Sequence, residues 1–223
     1  KFYESVTGKI PVSLIDKTWF LENLLEINKQ TFEKFKRVVD IIFSIILFIP
    51  FIIVYPFAAL AIKINSKGPV FYKQKRVGKN EKFFEILKFR SMVADAEKNG
   101  AEWAKENDKR ITIAGNILRK TRIDELPQIW NVLKGDLSFV GPRPERPEFV
   151  QELENQIPHY SMRHLVRPGL SGWAQINFPY GASVEDATEK MQYDLYYIKN
   201  RSFLLEISIM LKTIMTLLSH SGR

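Results

Sequence analysis

The chain has 223 residues, no cysteine and a formal net charge of +8. The absence of cysteine excludes disulfides and cysteine-based zinc sites, in keeping with a reducing compartment. The positive charge suits polyanionic substrates and an anionic lipid bilayer, and it also raises nucleic acid as a partner. Because the sequence has neither zinc-finger spacing nor an RNA-binding aromatic signature, we expect no nucleic-acid partner.

Composition divides the chain into three predicted segments. Residues 1–33 carry no cleavable signal peptide and start without an initiator Met, so we expect a linker or the tail of a missing upstream domain. Residues 34–66 are predicted to form a membrane helix, and residues 67–223 the cytosolic domain that follows it.

Residues 41–62 form an apolar run without a charge, and about 22 residues suffice to cross a hydrocarbon core of ~30 Å. Cations flank the run on both sides, which places both ends on the cytoplasmic side. Pro50 and Pro56 interrupt the backbone hydrogen bonds inside it. The pattern therefore favours a re-entrant helix-break-helix bent near Pro50. An ordinary span with a kink remains an alternative, and a buried core helix is least favoured because the rest of the chain is too polar.

After this helix, alternation predicts strands at residues 69–75 and 83–90, with a turn at 78–80 between them. A short helix is predicted at residues 92–99, ended by Gly100, and residues 101–114 are predicted as loop or helix. A helix at residues 116–120 then leads to the most informative stretch of the chain.

Two adjacent carboxylates, Asp124 and Glu125, directly follow Arg119, Lys120 and Arg122. Pro127 suits the first turn of a short helix and Gly135 suits its end, while residues 142–144 form a rigid Pro-Arg-Pro segment. Carboxylates at a helix start surrounded by arginines predict a place where phosphate meets a nucleophile or a metal. The alternative is a surface pair of acids that caps the helix.

The remaining elements are predicted to be helical, apart from a loop and strand at residues 165–176. We expect a helix at residues 147–156, and another that starts with a capping box at 183–186 and ends near 199. Residues 203–218 are predicted to form an interfacial amphipathic helix, with a buried helix as the alternative. The fold class is therefore α/β or mostly α, a small cytosolic domain on a re-entrant membrane helix.

Further candidate binding residues carry alternatives that the sequence leaves open. Arg143 either binds phosphate as a fixed cation or merely shapes a turn. Lys88 and Arg90 are predicted to share one face of a strand, where they either bind phosphate or lie at a solvated strand edge. Asp136 orients an arginine, assists a metal or caps a turn. Asp194 pairs with an active-site arginine or bonds to nearby tyrosines. Arg167 completes the set.

The order of these motifs resembles the bacterial sugar transferases called polyprenyl-phosphate phosphoglycosyl transferases, of the monotopic type, from about residue 35 onward. The motifs that carry the resemblance are residues 36–40 with the apolar helix, 68–78, 88–92, 118–128, 135–144, 167–175 and 193–197. Larger members carry transmembrane helices and a nucleotide-binding-like domain upstream, so the chain looks like the catalytic portion of one.

The resemblance implies transfer of a sugar-1-phosphate from a UDP-sugar to polyprenyl phosphate, with release of UMP, at the cytoplasmic face of the bacterial inner membrane. It implies that Asp124 is the nucleophile and that Glu125 binds Mg²⁺, with Arg119, Arg122, Arg143, Lys88, Arg90, Asp136, Asp194 and Arg167 binding substrate. An aspartate is ionised at neutral pH and needs no base to attack phosphorus. Two alternatives stay open: a membrane-docked scaffold that binds nucleotide and magnesium without turnover, and a polytopic transferase, which would need several spans. An oligomer is compatible with the sequence.

Overall fold

A computed structural model describes residues 2–16, 19, 22–23, 29–96, 108–178, 181 and 183–218. Its described part is mostly helical, with two small two-stranded sheets. The helices are α1 (Phe2–Thr7), α2 (Gln30–Asn65), α3 (Ile113–Lys120), α4 (Ile129–Lys134), α5 (Pro147–Gln156), α6 (Trp173–Asn177), α7 (Val184–Asn200) and α8 (Phe203–Leu218). The strands are β1 (Phe71–Val77), β2 (Phe83–Phe89), β3 (Ser138–Val140) and β4 (Gly169–Ser171).

The apolar run lies in α2, which is one helix of 36 residues, about 54 Å if straight, with Pro50 and Pro56 inside it. The predicted helix break at the prolines is therefore wrong. Proline has a helical φ and removes one hydrogen bond, so a helix can bend at proline without ending there. Among the described helices, only α2 is long and apolar enough to cross a membrane, and most of it lies outside the protein core.

Both ends of α2 bind to the same folded body. At the first end, Lys36 pairs with Glu206 of α8, and Asp40 accepts hydrogen bonds from the Ser138 hydroxyl at 3.0 Å and the Phe139 amide at 3.2 Å. Near the second end, the Asn65 side-chain oxygen accepts a bond of 3.3 Å from the Ala114 amide. Between them, large apolar side chains of α2 are exposed: Ile42, Ile45, Ile46, Ile49, Ile52, Ile53, Phe57 and Leu60.

The hairpin of β1 and β2 confirms both predicted strands to within two residues. β1 pairs antiparallel with β2 from Phe71 opposite Phe89 to Val77 opposite Phe83. The helix predicted at residues 92–99 is wrong over its described part, residues 92–96, and residues 97–107 lie outside the described chain. Met92 instead forms a β-bridge with Ile111, so its backbone is paired with a distant segment.

The later helices agree with the sequence. α5 has the predicted bounds, and α7 begins with the predicted capping box, in which Ser183 and Asp186 bond reciprocally. β4 lies in the predicted loop and strand, but the short helix α6 follows it. In α8, Ile209 is fully buried whereas Leu204 and Met215 are exposed. The buried-helix alternative for residues 203–218 therefore does not hold, and the interfacial position remains a prediction.

The main core cluster joins the N-terminal segment to α5 and α7. Ile10 and Ile15 are buried with Leu153 of α5 and with Met191 and Leu195 of α7. Residues 2–16 thus pack against the body on which the candidate site lies. The predicted domain boundary at residue 33 stays a prediction.

Asn131 of α4 is the hydrogen-bonding partner of the outer edge of β2. Its side chain accepts from the Leu87 amide at 3.0 Å and donates to the Glu85 carbonyl at 2.7 Å. Asn131→Ala leaves both backbone groups without these bonds, so we expect a loss of about 2 to 4 kcal/mol in unfolding free energy. Thermal unfolding in detergent measures it, with the exposed Asn116→Ala as control. An equal effect of the two substitutions would contradict this account.

Candidate active site

The adjacent carboxylates lie in a 3₁₀ helix, Ile123–Gln128, between α3 and α4. Arg122 precedes it in the left-handed conformation, at φ 58°, and turns the chain out of α3. Gly135 ends α4 at φ 94°, a conformation that glycine adopts at low cost. The predicted short helix is confirmed, and it places Asp124 in the interior, where it exposes only 7% of its surface.

Glu125 is held by two cations from different parts of the fold. Its Oε1 accepts a hydrogen bond from Lys88 Nζ at 2.9 Å and from Arg143 Nη2 at 3.0 Å. Burial alone would raise the pKa of Glu125, but Lys88 and Arg143 outweigh burial and hold the pKa well below its ordinary range. Glu125 is therefore a permanent carboxylate at neutral pH.

Asp124 has the opposite electrostatic setting. Burial raises the pKa of Asp124, and the charge of Glu125 raises it further, against the opposing effects of Lys88, Arg119 and Arg122. A raised pKa makes a carboxylate more basic and a better nucleophile once ionised. Two neighbouring carboxylates thus have separate chemical characters: within the described residues, Glu125 forms ion pairs with Lys88 and Arg143, whereas the cations near Asp124 act on it electrostatically.

Some of the predicted cations lie at the carboxylate pair, and others contact different parts of the fold. Lys88 and Arg143 contact Glu125, while Arg119 and Arg122 act on Asp124 electrostatically. The Arg119 Nε also donates to the Ser91 hydroxyl at 2.8 Å. Four predicted cations therefore surround one carboxylate pair.

Arg90 is buried, and its guanidinium donates to the carbonyls of Ser66 and Lys67, at 2.8 and 3.1 Å. It fixes the connection from α2 to β1. Although Lys88 and Arg90 are two residues apart, their side chains bind different partners. The role of Arg90 in substrate binding stays a prediction.

Asp136 and Arg167 are both in electrostatic contact with Arg37, near the start of α2. The Asp136 amide donates to the Asn131 carbonyl at 3.0 Å, in the turn that ends α4. Among the described residues, Arg167 Nη1 is buried without a hydrogen-bond partner. The structure places these two residues near the start of α2, and their roles in substrate binding stay predictions.

Asp194 of α7 is buried and pairs with Arg163 at 2.9 Å, so pairing with an arginine is correct. Burial raises the pKa of Asp194 to about 6 despite the opposing effect of Arg163. Another Arg163 bond, from Nη2, reaches the backbone carbonyl of Arg143 at 2.9 Å. No local sequence pattern points to Arg163, because Asp194 lies 31 residues away along the chain.

The carboxylate pair fits a magnesium ion, which takes few protein ligands and completes its shell with water and phosphate oxygens. Both cations bind Oε1 of Glu125, and no donor in the described ranges reaches Oε2. A separate group of three potential ligands, Glu81, Glu154 and His164, does not include the pair. A carboxylate oxygen that accepts no hydrogen bond from the described residues, such as Glu125 Oε2, suits a hard cation that also binds a diphosphate.

Comparison with known proteins places these residues in a family. A family model described as bacterial sugar transferase matches residues 31–220. The chain is 44% identical over 222 residues to the UDP-N-acetylgalactosamine-undecaprenyl-phosphate N-acetylgalactosaminephosphotransferase of Aeromonas hydrophila, covering 98% of this chain and 51% of that protein.

Two further relatives are named UDP-glucose:undecaprenyl-phosphate glucose-1-phosphate transferase. The protein from Xanthomonas campestris is 46% identical over 158 residues, covering 70% of this chain and 33% of that protein. The protein from Escherichia coli is 39% identical over 181 residues, covering 80% of this chain and 39% of that protein. The chain thus spans about half or less of the length of these relatives.

Proposed function

The chain belongs to the bacterial sugar transferase family, and on that premise we propose that it transfers a sugar-1-phosphate from a UDP-sugar to undecaprenyl phosphate. The names of the relatives support both substrates. The observation that carries the proposal is the buried Asp124 beside Glu125, which Lys88 and Arg143 hold in place. A carboxylate nucleophile surrounded by cations suits reaction at a diphosphate.

In the proposed first step, a carboxylate oxygen of Asp124 attacks the phosphorus that carries the sugar. The bond from this phosphorus to the bridging oxygen breaks, and UMP leaves with the electron pair. In the second step, an oxygen of undecaprenyl phosphate attacks the same phosphorus. The bond to Asp124 then breaks, which regenerates the carboxylate and gives undecaprenyl diphosphate sugar.

The surrounding residues have separate tasks in this proposal. Arg143, Arg119 and Arg122 neutralise the phosphate oxygens, so that an anionic nucleophile can approach an anionic substrate. Glu125 would hold Mg²⁺ and keeps Lys88 and Arg143 in fixed positions. When bound, the metal would supply charge neutralisation at the diphosphate.

Release of UMP tests the proposed activity. The purified chain is incubated with Mg²⁺ and a panel of UDP-sugars that includes UDP-N-acetylgalactosamine and UDP-glucose, with and without undecaprenyl phosphate. We expect UMP with at least one sugar, and continuous turnover only with the lipid acceptor. Binding of UDP-sugars without release of UMP would favour a scaffold instead.

Arg143→Ala is expected to raise the KM for the UDP-sugar about 10-fold or more, because it removes a charged donor beside the diphosphate. Arg143→Lys should restore only part, since an ammonium lacks the planar fork of donors. Lys73→Ala is the matched control, because Lys73 pairs with Glu85 at the exposed surface of the hairpin. Steady-state kinetics measure all three variants. Equal KM values for Arg143→Ala and Lys73→Ala would contradict the role.

We also propose that α2 enters the cytoplasmic leaflet of the inner membrane and does not cross it. Its exposed apolar surface supports insertion, and the contacts of both helix ends with one body support a return to the same side. A helix that crossed a bilayer would separate its ends by ~30 Å of hydrocarbon. The bend near Pro50 remains the predicted means of return.

Single cysteines at Lys34 and Lys67 test this topology, because the natural chain has no cysteine. We expect an impermeant thiol reagent to label neither position in intact cells and both after permeabilisation. A cysteine at Lys73, on the hairpin, is the reference for the side of the body. Labelling of only one helix end from outside would show that α2 spans the membrane.

A further inference from the structure

The segment that carries Arg143 is fixed through its backbone carbonyls. Four consecutive carbonyls accept hydrogen bonds from three parts of the fold. Pro142 accepts from the Gly169 amide at 2.9 Å, Arg143 from Arg163 Nη2 at 2.9 Å, Pro144 from Arg76 Nη1 at 2.9 Å and Glu145 from the Val77 amide at 3.0 Å. Since prolines have no N–H, carbonyls are the main backbone groups by which this segment can be held.

Two of these four donors are side chains, and Arg163 is the more deeply buried of the two. Its side chain is 7% exposed and pairs with Asp194, which is 2% exposed, at 2.9 Å. A further bond goes to the hydroxyl of Tyr160. Burying a guanidinium costs free energy unless its charge and its donors are satisfied. Asp194 supplies the negative charge that balances the guanidinium, and the Arg143 carbonyl accepts one of its hydrogen bonds.

The backbone and the side chain of Arg143 therefore contact different groups. Its backbone carbonyl is bound by Arg163, and its guanidinium meets Glu125 at 3.0 Å. An arginine side chain has several rotatable bonds, so the position of its head depends on how firmly its backbone is held. Pro142 and Pro144 fix the neighbouring φ angles, and Arg163 fixes the carbonyl between them.

We propose that Arg163, held by Asp194, is a positioning residue that fixes the backbone of Arg143 so that its guanidinium lies at Glu125 before the substrate binds. This inference rests on the proposed function for its kinetic readout. It assigns Asp194 to the support of Arg143, without contact to the substrate. A merely structural ion pair would stabilise the fold without any dependence on Arg143.

Arg163→Lys, made in the native chain and in Arg143→Ala, separates these roles. In Arg163 a single nitrogen, Nη2, donates to both Asp194 and the Arg143 carbonyl, while Nη1 binds the Tyr160 hydroxyl. A lysine can still pair with Asp194, but its ammonium cannot reproduce this planar arrangement of donors. We expect kcat/KM for UMP release to fall about 10- to 100-fold in the native chain. In the Arg143→Ala background we expect less than about 3-fold, because the side chain being positioned is gone. Equal factors in both backgrounds would overturn the proposal.

Arg201→Lys is the matched control. Arg201 is also buried, pairs with Glu33 and donates to the Ile198 carbonyl at 3.3 Å, away from the Arg143 segment. We expect its effect to be the same in both backgrounds. If Arg163→Lys does not fold, the double variant Arg163→Met with Asp194→Asn removes both charges and leaves no unpaired ion. The same comparison then applies to this variant.

Hydrogen exchange gives a readout that does not require turnover. Amides in residues 138–146 should exchange faster in Arg163→Lys than in the native chain or Arg201→Lys. If the native chain releases no UMP, the proposed function fails, while faster exchange still supports the positioning role. Unchanged exchange in residues 138–146 would overturn the positioning role, whatever the activity.

Discussion

Asp124→Asn is expected to abolish transfer, with a loss greater than the roughly 10²- to 10⁴-fold that removal of an acid–base helper causes. Asparagine keeps the size of the side chain but lacks the anionic oxygen that attacks phosphorus. The setting of Asp124 explains why no neighbour replaces it. Glu125 is the adjacent carboxylate along the chain, and its Oε1 is bound to Lys88 and Arg143.

The loss is measured as UMP release under saturating UDP-sugar and Mg²⁺, with and without undecaprenyl phosphate. Glu85→Gln is the control, because Glu85 lies at the exposed surface of the hairpin and is 64% exposed. Its activity should equal that of the native chain. Residual transfer by Asp124→Asn at a hundredth of the native rate would show that Asp124 is a helper and that the nucleophile is elsewhere.

Glu125→Gln is expected to reduce kcat by about 10²- to 10³-fold, the range seen when one preorganised charged contact is lost at a reaction centre. The neutral amide leaves Lys88 and Arg143 without their counter-charge. Burial already lowers the pKa of Lys88 against the effect of Glu125, so loss of Glu125 lowers the pKa of Lys88 further. The site then keeps its cations without the carboxylate that fixes their positions.

Titration with Mg²⁺ separates two causes of that loss. If Glu125 holds the metal, the variant should need more Mg²⁺ for half-maximal rate, and high Mg²⁺ should restore part of the activity. The native chain titrated in parallel is the reference. An unchanged metal dependence would remove Glu125 from the metal site and leave it the residue that fixes Lys88 and Arg143.

Local chemistry explains what the sequence predicted correctly. Pro147 and Glu148 mark the start of α5, and Ser183 with Asp186 marks the start of α7, because the signals for helix ends lie within a few residues. Local signals also predict the helix start at which Asp124 and Glu125 follow their cations, while the catalytic roles of the two carboxylates stay predictions.

Contacts between distant segments explain what the sequence missed. Residues 92–96 are not helical because Met92 pairs with Ile111. Lys88 and Arg90 are two residues apart, which predicts that they share one face of β2. The Arg90 side chain is instead buried and donates to the backbone carbonyls that follow α2. The support of Arg143 by Arg163 depends on a bond across 20 residues, which no local pattern reveals. The helix through Pro50 persists because one lost hydrogen bond does not outweigh the remaining ones.

The most direct test of the central claim is mass spectrometry of the chain after incubation with Mg²⁺ and an accepted UDP-sugar, without lipid acceptor. We predict a gain of one sugar phosphate per chain, located on Asp124 by peptide mapping, with one UMP released per adduct. Addition of undecaprenyl phosphate should remove the adduct. UMP release that requires the lipid and leaves no adduct, or an adduct on another residue, would contradict the account.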